Sequence, residues 1–189
     1  MKIAISGAHS TGKSTALKVV RKYLQAQNLK VGMVSDLAIA CPLPILRMHT
    51  PESSLWIASR GISDEIASGK ASQIVLVDRP IVDAWGYLQA TSVLFDRSSS
   101  AYRTLEALIR NWMPSYTMVF STVLDSTIPI DGTKERDMDE AYREKVAEQI
   151  RAAYEHFSID TVDLTPNSSM DIASKIDKLF ARRIRLQTG

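Results

Sequence analysis

Residues 7–15 read Gly-Ala-His-Ser-Thr-Gly-Lys-Ser-Thr, directly after the apolar run Ile3-Ala4-Ile5 and ahead of a stretch of helical period. Gly7 and Gly12 allow tight turns and let backbone N–H groups point inward, where a side chain would crowd a bound anion. Lys13 supplies a flexible point charge for β- and γ-phosphates. Ser14 supplies a hydroxyl for Mg²⁺, and Thr15 a second hydroxyl near the α-phosphate. A helix opening near Lys13 adds the positive end of its dipole. The stretch fits G-x-x-x-x-G-K-[ST] at every fixed position, with a strand before it and an amphipathic helix after it, which is the setting of a phosphate-binding P-loop. The binding set is therefore Gly7, Ser10, Thr11, Gly12, Lys13, Ser14 and Thr15, and the ligand is ATP or GTP. His9 reads as a spacer whose backbone N–H matters more than its ring. Holding a nucleotide does not say what is done with it.

Three further clusters bear on that question. The run Ile74-Val75-Leu76-Val77 closes in Asp78-Arg79-Pro80-Ile81-Val82-Asp83. An aspartate at a strand tip holds Mg²⁺ directly or through water, so Asp78 joins Ser14 as a metal residue, and Arg79 aims a fixed cation at the same mouth. Asp36 ends Val31-Gly32-Met33-Val34-Ser35-Asp36; it either accepts a proton from an attacking hydroxyl or positions that hydroxyl, or it caps a helix or turn. Residues 128–137, rich in charge and punctuated by Pro129 and Gly132, precede a long amphipathic helix. They read as a cationic flap over a transferring phosphoryl group, with Lys134, Arg136 and Arg143 as its candidates. Asp36 or Asp78 would orient the acceptor, and Lys13, Arg79 and Arg136 would stabilise the moving charge. On the helix after Pro51, Trp56 suits stacking on a base and Arg60 a sugar or phosphate, or both serve packing and surface; Glu65 lies further along the same helix.

These residues need a scaffold that brings strand tips together. Short apolar runs at Ile3–Ser6, Val31–Ser35, Ile74–Val77, Thr117–Ser121 and Ile159–Asp163 are hydrophobic at successive positions, as in parallel strands buried on both faces. Between them run helical stripes: Ala16, Val20, Tyr23 and Leu24; then Tyr142, Val146, Ile150, Ala153 and Phe157; then Ile172, Ala173, Ile176, Leu179, Phe180 and Ile184. The expectation is an α/β fold, a doubly wound five-stranded parallel sheet flanked by helices, in which ligands bind at the carboxyl ends of the strands. One domain over 1–189 is expected, with a lid segment near 128–145.

The totals exclude some classes. The 189 residues carry 23 basic and 21 acidic side chains, a formal charge of +2 that gives no electrostatic case for nucleic acid or a membrane surface. Cys41 is the sole cysteine, so neither an intrachain disulfide nor a cysteine zinc cluster forms. No apolar run is long enough to span a bilayer, and a reducing cytoplasm is the expected location. The guanine-reading N-K-x-D is missing, which argues against a GTPase.

The P-loop, the Asp78-Arg79-Pro80-x-x-Asp83 strand end and the Asp131-Gly132-Thr133 loop before a basic helix together resemble the small P-loop kinases. The nearest are the kinase domain of bacterial nicotinamide riboside kinases and the thymidylate- and deoxynucleoside-kinase-like ATPases. The likeness runs from Lys2 to about Arg185. It implies that Asp78 contacts Mg²⁺ or substrate, that Arg79 binds substrate or phosphate, and that Arg136 is a lid arginine. It also implies an adenine slot at Leu164-Thr165-Pro166-Asn167. Relatives often carry arginine directly after Asp-Gly-x, where this chain has Lys134. The Glu-x-x-Arg-like pair of closer relatives is missing after β-strand two. The expected activity is ATP- and Mg²⁺-dependent phosphoryl transfer to a small nucleoside, nucleotide or related metabolite. The alternative is a regulatory ATP-binding module without an acceptor. The sequence is compatible with a homodimer.

Overall fold

A computed structural model describes residues 1–124, 138–164, 172 and 174–178. Five strands, β1 (Lys2–Ser6), β2 (Val31–Val34), β3 (Ile74–Asp78), β4 (Met118–Thr122) and β5 (Val162–Leu164), form one sheet in the order β2-β3-β1-β4-β5. Every pairing is parallel. The helices are α1 (Lys13–Ala26), α2 (Pro51–Ala71), α3 (Ile81–Ala90), α4 (Ser100–Trp112) and α5 (Glu140–His156), with three short 3₁₀ turns, and the described residues 172 and 174–178 are helical as well.

The unbroken apolar runs follow from burial on both faces. Ile3, Ile5, Ile74, Leu76 and Phe120 pack with Leu17, Val20 and Leu24 of α1 and with Ile172 and Ile176. Ala4, Val75 and Val77 point to the opposite face, where the apolar sides of α2 to α5 form the larger core. α3 and α5 cross so closely that a Cβ on Gly86 would lie 2.3 Å from Ile150 Cγ1 and 2.9 Å from its Cα. None of the described helices is long and apolar enough to cross a membrane.

The last strand starts three residues later than its apolar run suggests. α5 extends to His156, and Ser158, with φ +53°, turns the chain. Ile159 is held in that turn by its N–H to Tyr154 O at 2.8 Å and packs with the large core, so pairing begins only at Val162. Of the serine tract Ser98-Ser99-Ser100, Ser99 caps α4 and Ser100 begins it.

Candidate active site

The order of strands places the tip of β1 between those of β3 and β4, with Ile5 in register with Asp78 and Ser6 with Ser121. Gly7 leaves β1 at φ +137°. A Cβ there would fall 2.0 Å from Thr122 Oγ1, so the position accepts only glycine. Gly12, at φ +81°, opens α1 with no side-chain cap. By contrast Thr50, Ser99 and Asp139 each cap their helix with a side-chain oxygen. An uncapped helix start with a glycine-lined approach suits an anion.

Lys13 is buried beneath the loop, where its Nζ donates to Gly7 O at 2.9 Å, to Ala8 O, and to Thr11 Oγ1 at 3.2 Å. Burial, and then the charge of Arg79, brings its ammonium down to about 7. His9 is also buried; its Nδ1 lies 3.2 Å from Tyr87 Oη, so its ring ties the loop to α3. Thr122 donates to Ser6 O at 3.0 Å and lies 2.7 Å from Thr11 Oγ1.

At the start of α1, Ser14 Oγ donates to Asp78 Oδ2 at 3.0 Å. A hydroxyl and a carboxylate oxygen at that spacing are hard oxygen donors, the set that Mg²⁺ prefers. Across the tips of β2 and β3, Arg79 Nε donates to Asp36 Oδ2 at 2.7 Å and its Nη1 to Gly7 O at 3.0 Å. Arg79 has φ +72° and its guanidinium sits 5.0 Å over the Tyr87 ring. Burial opposes ionisation of Asp36, but the Arg79 charge and the N–H of Ala38 outweigh it and hold the carboxyl below its ordinary range. Burial likewise opposes the charge on Arg79, and Asp36 outweighs it, so the arginine stays a cation.

One cavity of about 520 Å³ joins these parts. It is lined by loop residues Ser10 to Thr15, by Asp36, Asp78 and Arg79, and by the apolar Leu37, Ile45, Leu46 and Ile57. His49 and Tyr87, with ring centroids 5.5 Å apart, line it as well. His49 is buried, and that burial lowers its imidazole to about 4, so it stays neutral.

The structure thus brings together Gly7, Ser10, Thr11, Gly12, Lys13, Ser14, Thr15, Asp36, Asp78 and Arg79. It does not bring in the α2 candidates. Arg60 is exposed and paired with Asp64, one helical turn on. Glu65 lies at the other end of the sheet, accepting from Lys2 at 2.9 Å and from Trp112 at 2.8 Å. Ile57 and Gly61, rather than Trp56, face the cavity. Arg143 is buried in the first turns of α5 with Glu140 at 3.9 Å. Lys134 and Arg136, residues 128–137 of the flap, and 165–167 of the adenine slot lie outside the described residues.

Thr122, His49 and Tyr87 are site residues that sequence reasoning did not reach. Tyr87 had a signal: it follows Asp83 by four, so both share one face of α3. His49 and Thr122 had none, since each acts through contacts distant in sequence.

Fold and site together define a P-loop nucleotide-binding protein of the doubly wound α/β class. A family model described as an AAA domain matches residues 2–171, and the chain belongs to that family. No curated protein matches the sequence. Among solved structures, a deoxyadenosine kinase from M. mycoides with the products dCMP and a flexible dCDP bound is similar, with a TM-score of 0.59 and 16% identity over 98% of this chain and 100% of that one. The same enzyme with bound dATP gives 0.56 and 15% over 96% and 98%. At that identity the likeness is one of fold.

Proposed function

We propose that the chain is an ATP-dependent kinase that moves the γ-phosphoryl group to a hydroxyl of a small acceptor of the nucleoside or nucleotide class. The observation that carries this is one cavity lined by the P-loop, the Ser14–Asp78 pair, the Asp36–Arg79 pair and apolar side chains together. A pure nucleotide-holding module has no use for a second, half-buried acid–base pair beside apolar side chains. The solved deoxyadenosine kinases bind dATP and deoxycytidine nucleotides, which favours an acceptor of that kind.

In this reading the loop amides and Lys13 hold the triphosphate. Ser14 and Asp78 would hold Mg²⁺, which would supply charge neutralisation to the triphosphate. Asp36 accepts a hydrogen bond from the acceptor hydroxyl and points it at the phosphorus. Its carboxyl is a weak base because Arg79 stabilises the anion, which suits a loose transition state in which the hydroxyl proton leaves late. Arg79, and Arg136 from the flap, offset the charge on the transferring group. The apolar part of the lining excludes water, so that hydrolysis does not compete. The cytoplasm suits a chain whose one cysteine has no intrachain partner.

The test is transfer of labelled γ-phosphate from ATP with Mg²⁺ across nucleosides, nucleoside monophosphates and nicotinamide riboside. One strongly labelled product supports the kinase and names its acceptor. Tight ATP binding with slow hydrolysis and no labelled product sinks it in favour of the regulatory module.

A further inference from the structure

Asp83 is 1% exposed, yet no role above uses it. It sits in the first turn of α3, four residues beyond Arg79. Its Oδ1 accepts the hydroxyl of Ser6, and its Oδ2 accepts the N–H of Gly7 at 3.0 Å. Oδ2 also faces Arg79 Nη1 at 3.8 Å. Ser6 Oγ has a single proton, given to Asp83, so Tyr154 on α5 donates its hydroxyl to Ser6.

Gly7 is thereby gripped from both sides. Asp83 takes its N–H, while Lys13 and Arg79 donate to its carbonyl at 2.9 and 3.0 Å. Arg79 is gripped in turn between Asp36 and Asp83. A buried carboxylate is costly; burial raises its proton affinity to about 6. A neutral acceptor would satisfy Ser6 and Gly7 without that cost. What only a charge supplies is the hold on the Arg79 guanidinium together with a strong acceptor for the glycine amide.

We propose that Asp83 is the positioning residue of the site, whose one carboxylate fixes both Gly7, where the phosphate cradle begins, and Arg79, which carries the acceptor-side Asp36. The coupling to Asp36 rests on the kinase reading; the hold on the cradle does not.

The closing experiment compares Asp83→Asn, which is near-isosteric and removes the charge, with Tyr154→Phe, which disturbs the same buried chain without touching Gly7 or Arg79. Melting curves are recorded first, then direct titration with a fluorescent ATP analogue. Asp83→Asn is expected to bind it about tenfold more weakly, the scale of one charge-assisted hydrogen bond, while Tyr154→Phe stays within about twofold. In the transfer assay, the double variant Asp83→Asn/Asp36→Asn is expected to lose less than the product of the two single losses, because both act through Arg79.

Wild-type ATP affinity in Asp83→Asn, or an equal loss in Tyr154→Phe, overturns the proposal. If Asp83→Asn does not fold, Asp83→Ser repeats the titration; failure of both to fold makes the residue structural and overturns it too. If wild-type protein transfers phosphate to no acceptor, the kinase reading fails while the titration still decides the role of Asp83.

Discussion

Ser14 and Asp78 meet at 3.0 Å although 64 residues separate them, because β1 and β3 are neighbours in the sheet and Ile5 is in register with Asp78. One residue opens α1 and the other closes β3, so the pair forms only when the strand order is in place. Asp78→Asn keeps the shape and removes the anion. It is expected to raise the Mg²⁺ needed for half-maximal turnover by about tenfold or more, while metal-free nucleotide binding changes little. A Mg²⁺ titration of turnover beside a nucleotide titration in chelator checks this. Parallel loss of both would make Asp78 a structural residue.

Asp36, proposed for the acceptor side, accepts hydrogen bonds on its carboxylate from Arg79 Nε and the N–H of Ala38. Asp36→Asn is therefore expected to lower acceptor-dependent transfer by about 100-fold and to leave nucleotide affinity within about threefold. Steady-state kinetics with the acceptor found in the panel, set beside direct nucleotide titration, separates the two. Transfer that survives the substitution would move the acceptor contact to Asp78.

His49 makes stability pH-dependent in a defined window. The folded chain resists protonating this buried imidazole until about pH 4, whereas an unfolded histidine takes the proton near 6.5. The unfolded state therefore binds more protons between those values, and stability falls as pH drops from 6.5 towards 4; above 6.5 both states are neutral and the effect vanishes. Arg79 opposes the imidazolium, while Asp36 and the Leu46 carbonyl favour it, and burial outweighs them. At pH 5 the loss is about 2 kcal/mol. Urea unfolding of wild type and His49→Gln at pH 7 and pH 5 isolates it, since every other group is shared. Equal pH dependence in both proteins would mean that His49 is solvated.

The legible parts of the molecule were those governed by local rules. Gly7, Gly12, Lys13 and Ser14 announce the cradle because their chemistry and spacing are fixed by the phosphate. The successive apolar residues of Ile3–Ile5 and Ile74–Val77 announce strands covered on both faces. The last strand starts later than its apolar run predicts because Ile159 is apolar for a different reason, packing beside a turn at Ser158. Arg60 takes the surface alternative: a cation on a helix has no marker for which face meets the cavity, and its partner Asp64 four residues on is the available clue. Thr122 and His49 were invisible because they reach the site through packing between elements far apart in sequence.

Gly86 is where the scaffold under the site is tightest. In the middle of α3 an alanine would ordinarily gain about 1 kcal/mol of helix propensity. Here its Cβ would meet Ile150 Cγ1 at 2.3 Å, Cα at 2.9 Å and N at 3.0 Å. The side-chain contact is relieved by a smaller residue, but the two backbone contacts are not, so α3 and α5 must separate. Overpacking of that kind costs about 1–3 kcal/mol and outweighs the propensity gain. Gly86→Ala is expected to lower stability by about 2 kcal/mol in urea, and Ile150→Ala added to it should fail to restore the loss. Because α3 carries Asp83 and Tyr87, nucleotide affinity should weaken in the same variant. A Gly86→Ala protein as stable as wild type would show that the two helices part without cost, and that the close crossing does not hold the site.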